Sequence, residues 1–456
     1  MVFSSLTYLL LFMPCVVLGY RLIPAKARMP FLFAASLLFY GWGNPQWLLL
    51  LAWCMLVSWG GVLLISRGGK KRKWLLALVI VLDLLPLFWF KYAGFFNGAF
   101  QDLTGIRTGF RSPLLPAGIS FFTFQALSYV LDVWRGDAKA QRNPVTFGVY
   151  LALFPQLVAG PIVRYTDLEA QLIAHQRPTW TQIRKGLCRF TVGLAKKVLL
   201  ADALGRFWGQ MNADLTQAGA LGSWLGLIAF SFQIYFDFAG YSDMAIGLGG
   251  LFGFRFPENF RHPYAAKSVT DFWRRWHITL STWFREYLYI PLGGNRRGKA
   301  RQLLNLGIVW ALTGLWHGAD WNFLAWGLYY FVLLTLEKLV LLRLWDRLPG
   351  VVSRAFTLLA VVLGWVLFAC DSQALPGYCA ALFGANGALG RMDLYYLSKY
   401  AVLLVLGALG ASGLPALLAG RCRAFWPRAA VSLLMLAGSL IVLIGDTYNP
   451  FLYFRF

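Results

Sequence analysis

Residues 302–342 read QLLNLGIVWALTGLWHGADWNFLAWGLYYFVLLTLEKLVLL, two apolar runs joined at Trp316-His317-Gly318-Ala319-Asp320. The second run is long enough to cross a hydrocarbon core, which takes about 20 mostly apolar residues, whereas the run over 302–316 is too short to cross alone. This pairing predicts helices in a membrane, with His317 at their junction and at membrane depth. An ionisable side chain there is costly and faces a cavity or a partner, so function is its first reading. Imidazole also exchanges a proton near neutral pH more readily than any other side chain. The plainer reading is a histidine that ends the helix Gly318 breaks.

Working outward, similar runs recur from Leu6 to Phe451. The spacing predicts spans over 5–20, 30–42, 45–66, 74–96, 117–134, 145–160, 218–238, 241–254, 302–316, 319–342, 354–371, 394–418 and 428–446. The runs over 30–42, 145–160 and 302–316 are short and are expected to re-enter or pair, which needs protein around their backbone. About ten to twelve true crossings are expected on that length rule. The 456 residues are 59% hydrophobic and only 13% charged, against roughly 25% charged in soluble domains. The fold class is therefore an all-α polytopic membrane protein, a single membrane domain over 1–456 with its core motifs in 230–330. No basic residue precedes the first run and no small-residue cleavage site follows it, so it reads as a retained span.

The net charge of +23 raises nucleic acid as a partner, but the cations cluster in short loops between apolar spans. Lys70-Lys71-Arg72-Lys73 and Arg296-Arg297-Gly298-Lys299-Ala300-Arg301 are the clearest cases. Such clusters mark cytoplasmic loops and anionic lipid contacts, so no nucleic acid is expected. Arg21, Lys26 and Arg28 follow the first span and the Lys70 cluster follows the third. Alternation then places the N-terminus outside and both basic loops in the cytoplasm.

Two segments read as interfacial helices. Gln182 to Phe207 mixes Arg184, Lys185, Arg189, Lys196 and Lys197 with apolar residues. In Ser268 to Leu292, Trp273, Trp276, Leu280, Trp283 or Phe284, and Tyr287 recur at helical spacing as an aromatic stripe. Arg275, Thr279, Thr282 and Glu286 form its polar counterpart, with Asp271 four residues before Arg275. Of the four histidines, His175 lies in a polar loop and reads as solvated. His262 precedes Pro263 in a loop, and His277, forty residues before His317, is ambiguous between a solvated and a working side chain. Asp237 and Asp243 are acids in an apolar stretch that Gly240 is expected to break; buried pairing is their commoner explanation, with direct chemistry the other. Asp83 and Lys91 read as pairing with other helices or snorkelling. The six cysteines, Cys422 among them, show no CxxC or metal spacing and read as packed apolar residues, so no metal is expected. No GxSxG elbow, P-loop or dinucleotide fingerprint is present.

The stretch DFWRRWHITLSTWFREYLYIPLGGNRR, Asp271 to Arg297, resembles the most recognisable motif of the alginate O-acetyltransferase-like branch of the membrane-bound O-acyltransferase family. LTGLWHGADWNFLAWGLYY, Leu312 to Tyr330, resembles the segment that carries that family's essential histidine. Supporting stretches are MVFSS at the start, Phe39-Tyr40-Gly41-Trp42, Pro116 to Asp132, Val158-Ala159-Gly160-Pro161 and the Asp237–Asp243 segment. The resemblance implies a ring of membrane helices around a thin centre, with a tunnel or funnels admitting donor and acceptor from opposite faces. It implies that His317 is the essential histidine and His277 the second polar position. The donor would be acetyl-CoA or another acyl thioester, with no tightly bound cofactor. The setting would be the bacterial inner membrane, and the partner a periplasmic acetyltransferase of a polysaccharide-acetylating machinery. One departure is visible: Asp320 stands where that family carries a small polar residue.

Acyl transfer to a hydroxyl needs a base for the hydroxyl proton, the role His317 would fill. Arg274, Arg275, Arg285, Arg296 and Arg297 are candidate contacts for donor phosphates, or equally for lipid headgroups. A transporter for glycan or lipid without acyl chemistry also suits midplane charges and broken helices, although no inverted repeat is visible. An acyltransferase acting on a teichoic-acid or protein acceptor is the remaining alternative.

Overall fold

The computed structural model describes residues 1–69, 71–174, 177–213, 218–345, 347–421, 424–445 and 451–452. Lys70, His175 and Cys422, singled out above, lie outside the described residues. Among these, every regular element is a helix. Apolar runs without period-2 alternation satisfy their backbone within each segment, the solution lipid imposes on an open chain. Among the described residues seven helices are long and apolar enough to cross a membrane, and the chain is a multi-pass membrane protein.

In chain order the main helices are α1 (Tyr8–Leu22), α2 (Arg28–Gly41), α3 (Trp47–Ser66), α4 (Arg72–Thr104), α5 (Ile119–Arg135), α6 (Pro144–Ala152) and α7 (Tyr165–Ala174). There follow α8 over residues 180–213, α9 (Ala220–Leu251), α10 (Val269–Trp273), α11 (Ile278–Phe284), α12 (Lys299–His317) and α13 (Trp321–Leu341). The remainder are α14 (Gly350–Ala369), α15 (Leu375–Leu382), α16 (Asp393–Ala411), α17 (Leu414–Arg421) and α18 (Phe425–Gly445). These seven helices are α3, α4, α9, α13, α14, α16 and α18. Leu433, Leu434, Ile441 and Ile444 on α18 are exposed, as a lipid-facing surface requires. The chain divides into two compact units, residues 1–191 with 241–258, and residues 192–240 with 259–456.

In the first unit the short α6 is buried along almost its whole length, as its length demanded. Asp83 of α4 is fully buried and accepts from Ser58 Oγ of α3 at 2.9 and 3.1 Å. Lys91 meets Ser120 Oγ at 3.4 Å. Asp243 and Glu258 both bind the Arg189 guanidinium, Asp243 at Nε (2.9 Å) and Glu258 through two oxygens. In the second unit Lys197 Nζ lies 2.6 Å from Asp202 Oδ1 and 2.8 Å from Asp237 Oδ1. The Leu452 N–H donates to the other Asp237 oxygen. Asp237 and Asp243 are thus both in ion pairs, the commoner of the two explanations their position offered.

Two expectations require correction. Gly240 does not break a helix: α9 runs unbroken through 32 residues, merging the expected spans 218–238 and 241–254. A Cβ at Gly240 would fall 2.7 Å from the Gly193 carbonyl oxygen, so the glycine serves close approach of α8 to α9. The stripe over Ser268 to Leu292 is not one interfacial helix. It divides into α10 and α11 at His277, whose backbone is left-handed (φ 43°). Trp273, Trp276, Trp283 and Tyr287 are all buried, because the break turns both halves into the packed interior.

Candidate active site

The second unit places His317 as the last residue of α12, where Gly318 leaves the helix in an extended conformation. A side chain added at Gly318 would strike the Phe323 ring, so the chain reverses tightly into α13. Asp320 caps α13, its Oδ1 accepting from the Trp321 N–H at 2.6 Å and from Ser372 Oγ at 3.2 Å. That explains the departure noted at this position: the carboxylate is spent on a helix start at the exposed rim. Asn322 Nδ2 donates to the carbonyls of Leu367 and Cys370, tying the start of α13 to the end of α14.

Helices α12 and α13 touch almost backbone to backbone. A Cβ at Gly314 would fall 2.3 Å from the Phe323 carbonyl oxygen, and one at Gly327 2.3 Å from that of Trp310. This contact fixes His317, 4% exposed, inside an aromatic cage. Its ring centroid is 5.0 Å from those of Trp316 and Trp326 and 5.4 Å from Phe368.

His277 reaches the same place from the turn between α10 and α11. It is 1% exposed, 4.6 Å from the Phe238 ring and 5.9 Å from Trp316. Trp316 therefore touches both histidines. His277 Nδ1 lies 3.1 Å from Asn259 Oδ1, which also accepts from the Thr279 N–H and Oγ1. The Thr279 N–H can only donate, so the Asn259 atom facing it is the carbonyl oxygen. His277 Nδ1 then carries a hydrogen and, in the neutral ring, the lone pair lies on Nε2.

Sequence reasoning missed a set of buried donors clustered around Trp326, whose ring packs on His317. Trp273 Nε1, Trp326 Nε1 and Tyr330 Oη are buried with no hydrogen-bond partner among the described residues. Their rings pack at 4.8 Å (Trp273 to Tyr330), 5.2 Å (Trp326 to Tyr330) and 5.5 Å (Trp273 to Trp326). Unsatisfied donors are costly in a packed interior. Aromatic residues in apolar spans read as core, so no sequence signal marked them.

The arginines offered for donor phosphates sit away from burial. Arg274 and Arg285 are exposed, and Arg285 lies 3.7 Å from Glu286. Arg275 pairs with Asp271 at 2.8 Å, as their spacing predicts. Burial would raise the Asp271 carboxyl, but Arg275 and the Lys267 N–H hold it below the usual carboxylate value. His262 stands in a second left-handed turn (φ 47°) before Pro263.

The chain is thus a helical membrane protein with a buried histidine at the α12–α13 hairpin, caged by aromatic rings. The model of the membrane-bound O-acyltransferase family matches residues 46–379. The chain belongs to that family and is an O-acyltransferase. It is 38% identical to the probable alginate O-acetylase AlgI of Pseudomonas putida and 37% to that of Azotobacter vinelandii, each over the full length of both chains. It is 33% identical to the peptidoglycan O-acetyltransferase of Helicobacter pylori, over 88% of this chain and 82% of the relative.

Proposed function

We propose that this chain moves acetyl groups from a cytoplasmic thioester, acetyl-CoA or another, across the bacterial inner membrane for O-acetylation of an exported polysaccharide, and that residues 1–456 act as one membrane domain of ten to twelve crossings. The observation that carries the reading is His317 buried in its aromatic cage, with the unpartnered Trp326 among the rings around it. His317 takes the proton of the acceptor hydroxyl as that oxygen attacks the thioester carbonyl carbon. The C–S bond then breaks, and the thiolate leaves with the proton returned by the imidazolium. Trp273, Trp326 and Tyr330 donate to the oxyanion that forms on the carbonyl oxygen. His277, fixed by Asn259, orients the acceptor or the thioester through Nε2. Arg274, Arg275 and Arg285 contact donor phosphates at the cytoplasmic side.

The names of the full-length relatives support acetyl as the group and a polysaccharide as the acceptor; alginate and peptidoglycan are the polymers those names print. A periplasmic acetyltransferase would receive the group, and anionic lipids would hold the basic loops. The test compares the acetyl content of exported polymer in cells with and without the chain. Labelled acetyl introduced in the cytoplasm should appear on the polymer only when the chain is present. Equal labelling in both strains contradicts the proposal.

A further inference from the structure

The first unit contains a cleft of about 480 Å³ lined by Tyr20, Met29, Gln171, Gln182, Phe252 and Arg255 among others, with no acidic residue among the described residues that line it. Arg28, next to the lining residue Met29, is only 2% exposed. The Arg28 guanidinium carbon sits 5.6 Å from the Tyr20 ring centre. Its Nε and Nη2 are buried without a hydrogen-bond partner, and no carboxylate pairs with it among the described residues. A buried cation without a counter-ion is strongly unfavourable, and an anion brought in by a ligand relieves it.

Two further features favour an anion at this place. Arg28 is the first residue of α2, a helix of 14 residues. Met29 of that first turn lines the cleft itself. Gln171 grips the Arg255 backbone from both sides, accepting from its N–H at 2.8 Å and donating to its carbonyl at 3.4 Å. The Arg255 side chain remains exposed at the cleft. Arg21 lies 4.2 Å over the ring of Trp180, adding a third guanidinium beside the helix that supplies Gln182.

We propose that this cleft is a phosphate-binding site, with Arg28 and Arg255 as its cationic partners and Gln182 as a neutral donor. Guanidinium groups suit phosphate oxygens by charge and by their paired N–H geometry. The phosphate belongs either to a lipid headgroup or to a small phosphate-bearing soluble molecule.

The experiment uses the full chain in detergent, with inorganic pyrophosphate, acetyl-CoA, phosphatidylglycerol and phosphatidylcholine as separate probes. Binding is read by thermal shift and titration, with no need for acyl transfer, so the outcome is independent of His317. Saturable binding of pyrophosphate and acetyl-CoA assigns a soluble ligand; saturable binding of phosphatidylglycerol alone assigns a lipid headgroup. In either case Arg28→Gln, Arg255→Gln and Gln182→Glu should each weaken binding of pyrophosphate or of phosphatidylglycerol about tenfold or more. Should Arg28→Gln fail to accumulate, the other two variants decide. Absence of saturable binding by every probe, or unchanged affinity in the variants, overturns the proposal.

Discussion

Asn259 Oδ1 and His277 Nδ1 lie 3.1 Å apart, joining the loop after α9 to the left-handed turn between α10 and α11. Because Thr279 also donates to that oxygen, the hydrogen bond sets which His277 nitrogen carries the lone pair. The two side chains should then act as one unit. Asn259→Ala and His277→Ala are each expected to slow acetyl transfer, by less than loss of His317. The double variant should be little worse than His277→Ala alone, as for residues in one network. Losses that simply multiply would show that Asn259 acts elsewhere.

Lys197 carries two carboxylates, Asp202 and Asp237, and is itself buried. Lys197→Ala strands both acids and should cost about 3–5 kcal/mol. Asp237→Ala leaves Lys197 its Asp202 partner and should cost less. Membrane accumulation and melting temperature are therefore ordered wild type, Asp237→Ala, Lys197→Ala. The reverse order would mean that Asp237 serves chemistry or another contact.

Gly327 meets the Trp310 carbonyl where α12 and α13 touch. Gly327→Ala should push the helices apart, lowering stability by about 1–3 kcal/mol despite the better helix propensity of alanine. Acetyl transfer should fall with it, since the same contact sets His317. A variant that melts like wild type would show that the helices yield without cost.

The basic residues of the early loops predict the N-terminus outside and the loop at Gly69 in the cytoplasm. A cysteine at Gly69 should resist an impermeant thiol reagent in intact cells and react once the membrane is opened. Labelling from the periplasmic side reverses the orientation.

Sequence reading located His317 because an ionisable residue between apolar runs stands out against hydrocarbon. It also gave the Asp271–Arg275 pair, which rests on helical spacing alone. The turn at His277 escaped it, because an aromatic periodicity that continues across a break looks the same as an unbroken helix. Gly240 was misread for a related reason: a glycine that admits a neighbouring backbone and one that ends a helix are identical in sequence. Asn259, 18 residues from His277, and the donors of Trp326 and Tyr330 depend on tertiary packing that no local pattern encodes.

The central claim is that His317 accepts the hydroxyl proton. General-base assistance contributes typically 10²–10⁴-fold, so His317→Gln should lose at least ~100-fold in acetyl transfer. Glutamine fills similar space and forms hydrogen bonds, yet it cannot take up a proton, so the fold should persist. The measurement is the acetyl content of exported polymer, with the variant quantified in the membrane of the same cells. Normal protein level with polymer acetylation lost is the predicted result. A normally accumulating His317→Gln variant that leaves the polymer fully acetylated would contradict it.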